Sequence, residues 1–404
     1  KIHDDFMKAV VKNEDYKQRW PISGPVTKIE KTINAQKLWN KIITNAHKSA
    51  EPGILWWDRI IEESPADCYS KFGFETISTN PCVSFNTWVM TNSGPVKAAN
   101  LIGIPFIGMA NGVLNTSTDE GFFITGQKEL FRVTTKKGFT VDATADHPFR
   151  KVSNINKTSI ESEMTKLSDI VLGDKICLGD NRGASWIGRG NEEIGWLMGS
   201  LLGDGTITDN EAILQYWGDD KMQLHESAVH YIKQNVKSRS DLGKISKNGK
   251  NFNTLDTVRI KSKHLLDIAN DYGICRDKKL NSDFIETTSS NFYTGFIAGW
   301  IDADGCVVND KLKGSYIRIA STILDNLKIC QRMLARLGVI STIYENRKPA
   351  GVYELPDGKG GYITCECEAY HDIHISKQNL DILYNILPLL RLTANLIHRV
   401  FGKI

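Results

Sequence analysis

Two aspartates, Asp204 and Asp304, end two copies of one short pattern and have the chemistry expected of a metal-binding pair. Residues 194–205 have the sequence IGWLMGSLLGDG and residues 295–305 have GFIAGWIDADG, so the terminal Asp-Gly pairs lie 100 residues apart (304 − 204). Hard carboxylate oxygens favour Mg²⁺ over softer metals. Bound Mg²⁺ can activate a water and stabilise the attacking and leaving oxygens when a phosphodiester is hydrolysed. The pair therefore predicts metal-dependent phosphodiester chemistry.

Each aspartate follows a stretch that predicts an unusually close helix contact. Small residues recur at every fourth position, which places them on one helix face. They are Gly195, Gly199 and Gly203 in the first copy and Gly295, Gly299 and Ala303 in the second. Two such faces let helix backbones approach closely, and the glycine after each aspartate ends its helix. We expect the two helices to pack together and to hold both aspartates near one point.

A second candidate for chemistry combines Cys82 with the segment TADHP at residues 144–148. A thiol at position 82 can attack the carbonyl of the preceding Pro81 and convert an amide to a thioester. An imidazole, here that of His147, can protonate the departing amide nitrogen. Thr144 would position the strained peptide. Without Cys82, the same histidine would fit a structural role in a β-turn equally well.

The composition limits the class of protein and its compartment. The chain has 404 residues, of which 41% are hydrophobic and 24% charged, as is ordinary for a chain of several globular domains. A net charge of +3 is too balanced to identify a nucleic-acid binder. We find no apolar run of about 18 residues and no signal peptide, so we expect no membrane partner. Scattered cysteines indicate a reducing, cytoplasmic setting.

Changes of pattern predict a multidomain chain with three regions. Residues 1–81 are typical of helix followed by irregular structure, with an apolar stripe at Leu38, Ile42, Ile43 and Ala46. Residues 82–188 contain β-prone runs at 87–91, 122–125, 130–135 and 139–141 between glycine turns, which favours an all-β unit. Residues 189–404 alternate helices with strand pairs.

The segment IAGWIDADG at residues 297–305 resembles the LAGLIDADG (DOD-type) motif of homing endonucleases, and LMGSLLGDG at 197–205 resembles a more diverged copy. The resemblance implies an α+β fold of two αββαββα pseudo-repeats, at 189–288 and 289–400. It implies that Asp204 and Asp304 bind Mg²⁺ at the scissile phosphates of double-stranded DNA, here a host gene without the insertion. Strands at 213–217, 256–260, 315–320 and 370–375 would line the major groove.

Two other positions follow from this resemblance. Members of the family often have a lysine near the active site, and Lys278 fits that place in the first half. In the second half, Arg391 aligns with Arg276 and no lysine lies beside it, so this partner is altered. Asp302 has no acidic counterpart in the first copy, because Leu202 stands there. We therefore interpret Asp302 as a local variation rather than a metal ligand.

Residues 82–101 (CVSFNTWVMTNSGPVKAANL) and the segment TADHP resemble the first splicing blocks of inteins. The resemblance implies a horseshoe-like Hint module over 82–188, with Cys82 as the nucleophile of an N–S acyl shift and His147 and Thr144 assisting it. Inteins end in His-Asn before a Cys, Ser or Thr, whereas Arg399 follows His398 here. We expect a C-terminal intein and extein segment, either continuing the chain or encoded separately, as the partner that completes splicing.

Residues 50–54 (AEPGI), 57–60 (WDRI) and 78–81 (STNP) resemble the large chain of ribonucleotide reductases, most of all the adenosylcobalamin-dependent class. Residues 1–81 would then be an N-extein. Asn80 matches the substrate-contacting asparagine of an active-site loop in that family. Adenosylcobalamin would serve only the complete host enzyme, since the radical-bearing cysteine would come from the following extein.

Two other interpretations remain open at this point. The chain could be a ribonucleotide reductase that carries an inert insertion, and the downstream sequence separates this from an intein. Alternatively, the helix pair could serve DNA binding or RNA maturation without cutting, which a cleavage assay separates from an endonuclease. The presence of both Asp204 and Asp304 favours cutting.

Overall fold

The computed structural model describes residues 2–20, 29–49, 53–63, 82–110, 113–157, 159–235, 257–310, 314–356, 361–376 and 378–391. The chain forms two compact units, residues 1–80 and residues 81–404. Within the described ranges, no helix has the length and apolar character needed to cross a membrane.

The first unit combines three helices with one hairpin. The helices are α1 (Asp4–Lys12), α2 (Ala35–Ser49) and α3 (Trp57–Glu63), and β1 (Asp15–Trp20) pairs antiparallel with β2 (Ile29–Asn34). Helix α2 confirms the helix predicted from the apolar stripe at 38–46. The hairpin corrects the prediction of helix and irregular structure alone. Strand β2 is exposed over its first four residues, so its sequence lacks the alternation that marks a half-buried strand.

Residues 82–188 contain β-strands and no α-helix among the described residues, in agreement with the all-β prediction. Strands β3 (Trp88–Thr91), β4 (Gly94–Lys97), β5 (Ile107–Ala110) and β6 (Val113–Thr116) form one sheet in the order β4-β3-β5-β6. Strand β7 (Phe131–Thr134) pairs with β8 (Thr140–Ala143), and β9 (Pro148–Ile155) pairs with β10 (Ile160–Lys166). The strand predicted at 122–125 is wrong, because Phe122 makes only an isolated bridge to Ile102.

The region from residue 189 to 288 begins with the first copy of the repeated pattern. Its elements are α4 (Glu192–Gly203), β11 (Thr206–Ile207), β12 (Ala212–Tyr216), α5 (Lys221–Asn235), β13 (Val258–Ser262), α6 (Lys263–Asp271) and α7 (Ser282–Ile285). The three strands form an antiparallel sheet in the order β11-β12-β13. Among the described residues, one strand rather than two therefore lies between α5 and α6.

The region from residue 289 onward repeats this order with an added hairpin. Its elements are α8 (Ser290–Asp304), β14 (Cys306–Asp310), β15 (Gly314–Ser321), α9 (Leu324–Arg336), β16 (Ser341–Lys348), β17 (Gly351–Pro356), β18 (Tyr362–Cys367), β19 (Tyr370–Ser376) and α10 (Gln378–Ile386). Four strands form a sheet in the order β14-β15-β19-β16, while β17 and β18 pair separately. Apart from that hairpin, the second half has the order helix, two strands, helix, two strands, helix.

Helices α4 and α8 pack together in the middle of the main hydrophobic core of the second unit. Gly199 faces the carbonyl oxygen of Phe296, and Gly299 faces that of Trp196. A Cβ atom built on either glycine would come closer than 3.0 Å to backbone atoms of the other helix. The stripe of small residues therefore allows contact of backbone with backbone, as the sequence predicted.

We expect Gly299→Ala to lower the free energy of unfolding by about 3 kcal/mol, because the added methyl group overpacks a backbone contact. The sign is opposite to that in an isolated helix, where the same change stabilises by up to about 1 kcal/mol. Urea unfolding followed by circular dichroism measures the change. Gly351→Ala is the control, since its Cβ would meet nothing nearer than 3.5 Å; equal stability of the two variants would contradict the interpretation.

Candidate functional site

Asp204 lies at the C-terminal end of α4, where its amide bonds to the carbonyl of Ser200 at 3.1 Å. Its side chain is 9% exposed, and its Oδ2 atom is buried without a hydrogen-bond partner. Burial and the nearby charge of Asp304 raise the pKa of Asp204 to about 7, against the opposing charges of Arg391 and Lys278. An unsatisfied buried carboxylate oxygen is costly. This atom is therefore a candidate cation ligand.

Asp304 ends α8 and lies close to Asp204. Its Oδ2 accepts a hydrogen bond from Nε1 of Trp300 at 3.2 Å. The residue is open to solvent on one side, yet partial loss of water raises the pKa of Asp304, while Trp300 and then Lys278 lower it. A Cβ on Gly203 would lie 3.1 Å from Oδ2 of Asp304. The close helix contact therefore also sets the spacing of the two acids.

Lys278 lies at this pair of acids, where the resemblance placed it. Its Nζ donates to the carbonyl oxygen of Gly203 at 2.7 Å. Its backbone has a φ of 55°, which residues other than glycine adopt rarely and often at functional sites. Burial lowers the pKa of Lys278, opposed by the charges of Asp304 and then Asp204. A half-buried ammonium beside two carboxylates is suited to binding an anionic oxygen there.

Asp302 has a structural role, which agrees with its interpretation as a non-ligand. One of its oxygens accepts from Nε1 of Trp196 at 2.9 Å. The backbone amides of Leu390 and Arg391 each donate to its carboxylate at 3.0 Å. Burial raises the pKa of Asp302, and these hydrogen bonds lower it. The carboxylate therefore fixes the segment that carries Arg391.

Arg391 occupies the position in which the second half lacks a lysine. Its Nη1 lies 4.0 Å from Oδ2 of Asp204. Its Nε donates to Asp220 at 3.1 Å, its Nη1 donates to the carbonyl of Asp302 at 3.2 Å, and its Nη2 donates to the carbonyl of Trp217. The sequence showed the altered residue but not its partners, since Asp220 and Trp217 lie more than 170 positions away.

The pair Asp204 and Asp304 has the donor set of a magnesium site. No group of three or more His, Cys, Asp and Glu side chains placed to hold a metal occurs in the described part of the chain. Mg²⁺ is usually held through one or two carboxylates and keeps several waters, which phosphate oxygens can replace. The unpartnered Oδ2 of Asp204 and the repulsion between the two carboxylates fit such a cation.

The raised pKa of Asp204 predicts a pH-dependent stability in metal-free buffer. An acid whose pKa is higher in the folded than in the unfolded protein favours folding when protonated, so stability falls as pH rises from its ordinary value of 3.8 towards about 7. We expect Asp204→Asn to raise Tm at about pH 8 and to leave it nearly unchanged at about pH 4. Thermal unfolding in EDTA measures both; a lower Tm at the higher pH would contradict the burial argument.

Cys82 lies in a second cluster of polar groups. Its carbonyl oxygen accepts from the amide of Thr144 at 3.3 Å and lies 3.0 Å from Nδ1 of His147. Its Sγ lies 3.3 Å from Oγ1 of Thr125, and Nζ of Lys128 donates to it at 3.7 Å. The structure thus brings together the three residues that the sequence predicted. The sequence did not indicate that Thr125 and Lys128 lie beside this thiol, since both belong to an irregular segment.

Asn80 and Pro81 lie outside the described residues. The prediction of a substrate-contacting asparagine at position 80 therefore stays a prediction. The contact of His147 is with the carbonyl of Cys82, one residue beyond the peptide bond that the thiol would attack.

The strands expected to line DNA are observed as β12, β13, β15 and β19. Each sheet carries paired polar side chains on the face opposite the core. In the first sheet, Nε of Arg259 donates to Oε1 of Gln215 at 2.8 Å. In the second, Nη1 of Arg318 lies 3.8 Å from Oδ2 of the buried Asp372.

Residues 291–388 match the family model described as a LAGLIDADG-like domain. The matched range contains most of α8 and includes Asp304. The predicted resemblance is therefore confirmed for the second half of the region 189–404.

Three curated relatives are ribonucleotide reductases. The NrdEB subunit alpha of Bacillus subtilis is 30% identical over 370 residues, which cover 86% of this chain and 33% of that protein. The large subunit of Invertebrate iridescent virus 6 is 27% identical over 395 residues, covering 94% and 37%. The vitamin B12-dependent enzyme of Thermoplasma acidophilum is 35% identical over 81 residues, covering 20% and 10%. The predicted similarity to ribonucleotide reductases is confirmed, and the chain spans about a third of the length of the first two relatives.

Solved structures with a similar arrangement include mesophilic variants of the homing endonuclease I-DmoI, at 19% identity and a TM-score of 0.32, covering 51% of this chain and 97% of that one. The N-terminal LAGLIDADG domain of DUF199/WhiA has 12% identity and a TM-score of 0.32, covering 52% and 86%.

Proposed function

We propose that residues 189–404 form a site-specific endonuclease that cuts both strands of DNA in a Mg²⁺-dependent reaction. The observation that carries this proposal is the pair Asp204 and Asp304 at the ends of two packed helices. Oδ2 of Asp204 is buried without a hydrogen-bond partner, and Nη1 of Arg391 lies 4.0 Å from it. A buried carboxylate oxygen that accepts no hydrogen bond is unusual and suits a bound cation.

The arrangement supplies most of what phosphodiester hydrolysis requires from the protein. Mg²⁺ bound by the two carboxylates would provide charge stabilisation and lower the pKa of a bound water. Lys278 and Arg391 place positive charge beside the acids, where it can stabilise non-bridging phosphate oxygens. The backbone contact between α4 and α8 keeps both acids rigid, so little reorganisation is needed during the reaction.

The two sheets that flank this site provide the surface for the substrate. Arg259 lies on β13 and donates to Gln215, and Arg318 lies on β15 with Asp372 3.8 Å away. Arginine can bind the O6 and N7 acceptors of guanine in the major groove. We infer that the substrate is double-stranded DNA and that the target is the host gene without the insertion.

The experiment that tests this proposal uses the purified full chain with Mg²⁺. The substrate is a plasmid that carries the uninterrupted reductase gene, and the control plasmid carries the same gene with the insertion. We expect a single double-strand break in the first plasmid only. Binding without cutting in Mg²⁺ or Mn²⁺ would overturn the nuclease proposal and favour a DNA-binding or maturase module.

We further propose that residues 82–188 perform the first step of protein splicing. The observation that favours this second function is the cluster around Cys82, in which Thr144 and His147 both contact its carbonyl. In the proposed step, Cys82 loses its thiol proton to solvent and Sγ bonds to the carbonyl carbon of residue 81. The C–N bond breaks, and the amide nitrogen gains a proton from protonated His147. The product is a thioester that links residues 1–81 to the rest of the chain.

The β-unit exposes several large aliphatic side chains, more than half of each being open to solvent; they are Val113, Leu114, Ile160, Met164, Val171 and Leu172. We propose that a C-terminal intein segment adds to this surface and completes a Hint fold. If a peptide of that segment leaves the amide exchange of β6 and β10 unchanged, this proposal is wrong.

The first unit is proposed to be host protein from a ribonucleotide reductase. The reductase relatives support this, and the vitamin B12-dependent one supports the adenosylcobalamin class. In the spliced enzyme, Asn80 would lie in the substrate loop, and the setting would be the cytoplasm. The reading frame beyond residue 404 tests the assignment, since only an intein predicts a His-Asn end followed by reductase sequence. A frame that runs on without that end would favour a reductase with an inert insertion.

A further inference from the structure

Each half of the region 189–404 contributes one basic residue to the site, and a residue of the other half contacts it. Lys278 comes near the end of the first half, and Arg391 comes near the end of the second. Nη1 of Arg391, from the second half, lies 4.0 Å from Oδ2 of Asp204 in the first half. Nζ of Lys278, from the first half, donates to the carbonyl oxygen of Gly203, and its charge also acts on Asp304 of the second half. The residue that holds each cation comes from the other half.

Asn326 holds Lys278 from the second half. It lies in the first turn of α9 and is 2% exposed. Its Nδ2 donates to the carbonyl oxygen of Lys278 at 2.8 Å, and its Oδ1 accepts from the amide of Leu280 at 2.9 Å. These bonds fix the backbone on both sides of the left-handed residue and so aim its side chain at Gly203.

Asp220 holds Arg391 from the first half. It directly precedes α5, the helix that follows the first strand pair, just as α9 does in the second half. Both oxygens of Asp220 accept from Nε of Arg391, at 3.3 and 3.1 Å. The Asp220 side chain is 31% exposed and that of Arg391 15%, so the pair lies at the edge of the site rather than in the core. Because the carboxylate of Asp220 bonds to Nε of Arg391, Nη1 of the same guanidinium can face Asp204.

We propose that Asp220 and Asn326 are two positioning residues, here called clamps. Asp220 positions Arg391 and Asn326 positions Lys278, and each of these basic groups serves the cutting of one DNA strand. The inference rests on the proposed endonuclease function. Asp220 holds only Arg391 and Asn326 only Lys278 in these contacts, so loss of one of them displaces one cation and leaves the other in place. Each clamp therefore controls one strand.

The test measures the cutting of each strand separately, with full-length protein and Mg²⁺. The substrate is a duplex of the uninterrupted reductase gene. One strand carries the 5′ label in the first experiment, and the other strand carries it in the second. We expect Asp220→Asn to slow the cutting of one strand about ten-fold and Asn326→Ala to slow the other by a similar factor, because displaced catalytic groups lose rate steeply. The strand that one variant spares is the strand that the other variant slows. Asp219→Asn, which removes the same charge from an exposed neighbour, should slow neither.

The outcomes separate this inference from the proposed function. If the wild-type protein cuts neither strand, the endonuclease proposal fails. If it cuts both and the two variants slow both strands equally, or slow neither, the clamps are structural only and the inference is overturned. Thermal unfolding of each variant is measured in parallel; should Asn326→Ala fail to fold, Asp220→Asn decides alone, because its half-exposed position tolerates the change.

Discussion

Asp304→Asn is expected to reduce DNA cleavage about a thousand-fold or more, which corresponds to a loss of about 4 kcal/mol of transition-state stabilisation. The amide keeps the shape of the carboxylate and can still accept the hydrogen bond from Trp300. It removes the negative charge that a divalent cation needs. The loss should therefore fall on the chemical step and not on folding. Initial rates of linearisation of a plasmid that carries the target measure it.

Two controls accompany the Asp304→Asn variant. Asp209→Asn removes the same charge from an exposed turn of the same region and should leave the rate within about two-fold, as surface changes usually do. Binding of the Asp304→Asn variant to the target duplex, followed by gel shift in Ca²⁺, should persist. Cutting at the wild-type rate would remove Asp304 from the metal site. Loss of both binding and cutting would instead indicate a misfolded protein.

The acid pair and the close helix contact could be predicted from sequence because both depend on local spacing. A small residue at every fourth position of a helix must form a stripe, and the copy in matching register showed that the stripe at Gly199 has its partner at Gly299. The terminal aspartates then had to lie near each other. Lys278 could be placed as well, because its distance along the chain from Asp204 resembles that in a known family.

The groups that hold these residues could not be predicted, since they come from distant parts of the chain. Asp220 meets Arg391 across 171 positions, and Asn326 meets Lys278 across 48. Neither residue belongs to a motif: Asn326 lies inside the first turn of α9, and a single aspartate before a helix, such as Asp220, is usually interpreted as a cap. Such contacts depend on how the two halves pack, which local patterns do not encode.

The errors in the fold have a related cause. The run at 122–125 is apolar enough for a strand, yet Phe122 forms only an isolated bridge, through bonds to Leu101 and Gly103, and Thr125 contacts Cys82. The hairpin of β1 and β2 was missed because its side chains are mostly exposed. Strand formation depends on a partner strand more than on composition.

Cys82→Ala is expected to abolish the release of residues 1–81 by added thiol. In wild-type protein supplied with the C-terminal segment, dithiothreitol would attack the thioester carbonyl and expel Sγ of Cys82 as the leaving group. Without that sulfur no thioester forms, and hydrolysis of an ordinary amide is negligible on this timescale. Mass spectrometry of the released fragment, together with gel electrophoresis, measures the outcome.

The choice of controls follows from the separation of the two sites. Cys177→Ala removes an exposed thiol of the same β-unit and should release the fragment as the wild type does. Asp304→Asn should also release it, because the acid pair lies in the region 189–404 and takes no part in the proposed thioester step. Unchanged release by Cys82→Ala would exclude this thiol as the nucleophile. His147 and Thr144 contact the carbonyl of Cys82, so their alanine variants should slow release without abolishing it, which distinguishes groups that assist the step from the group that attacks.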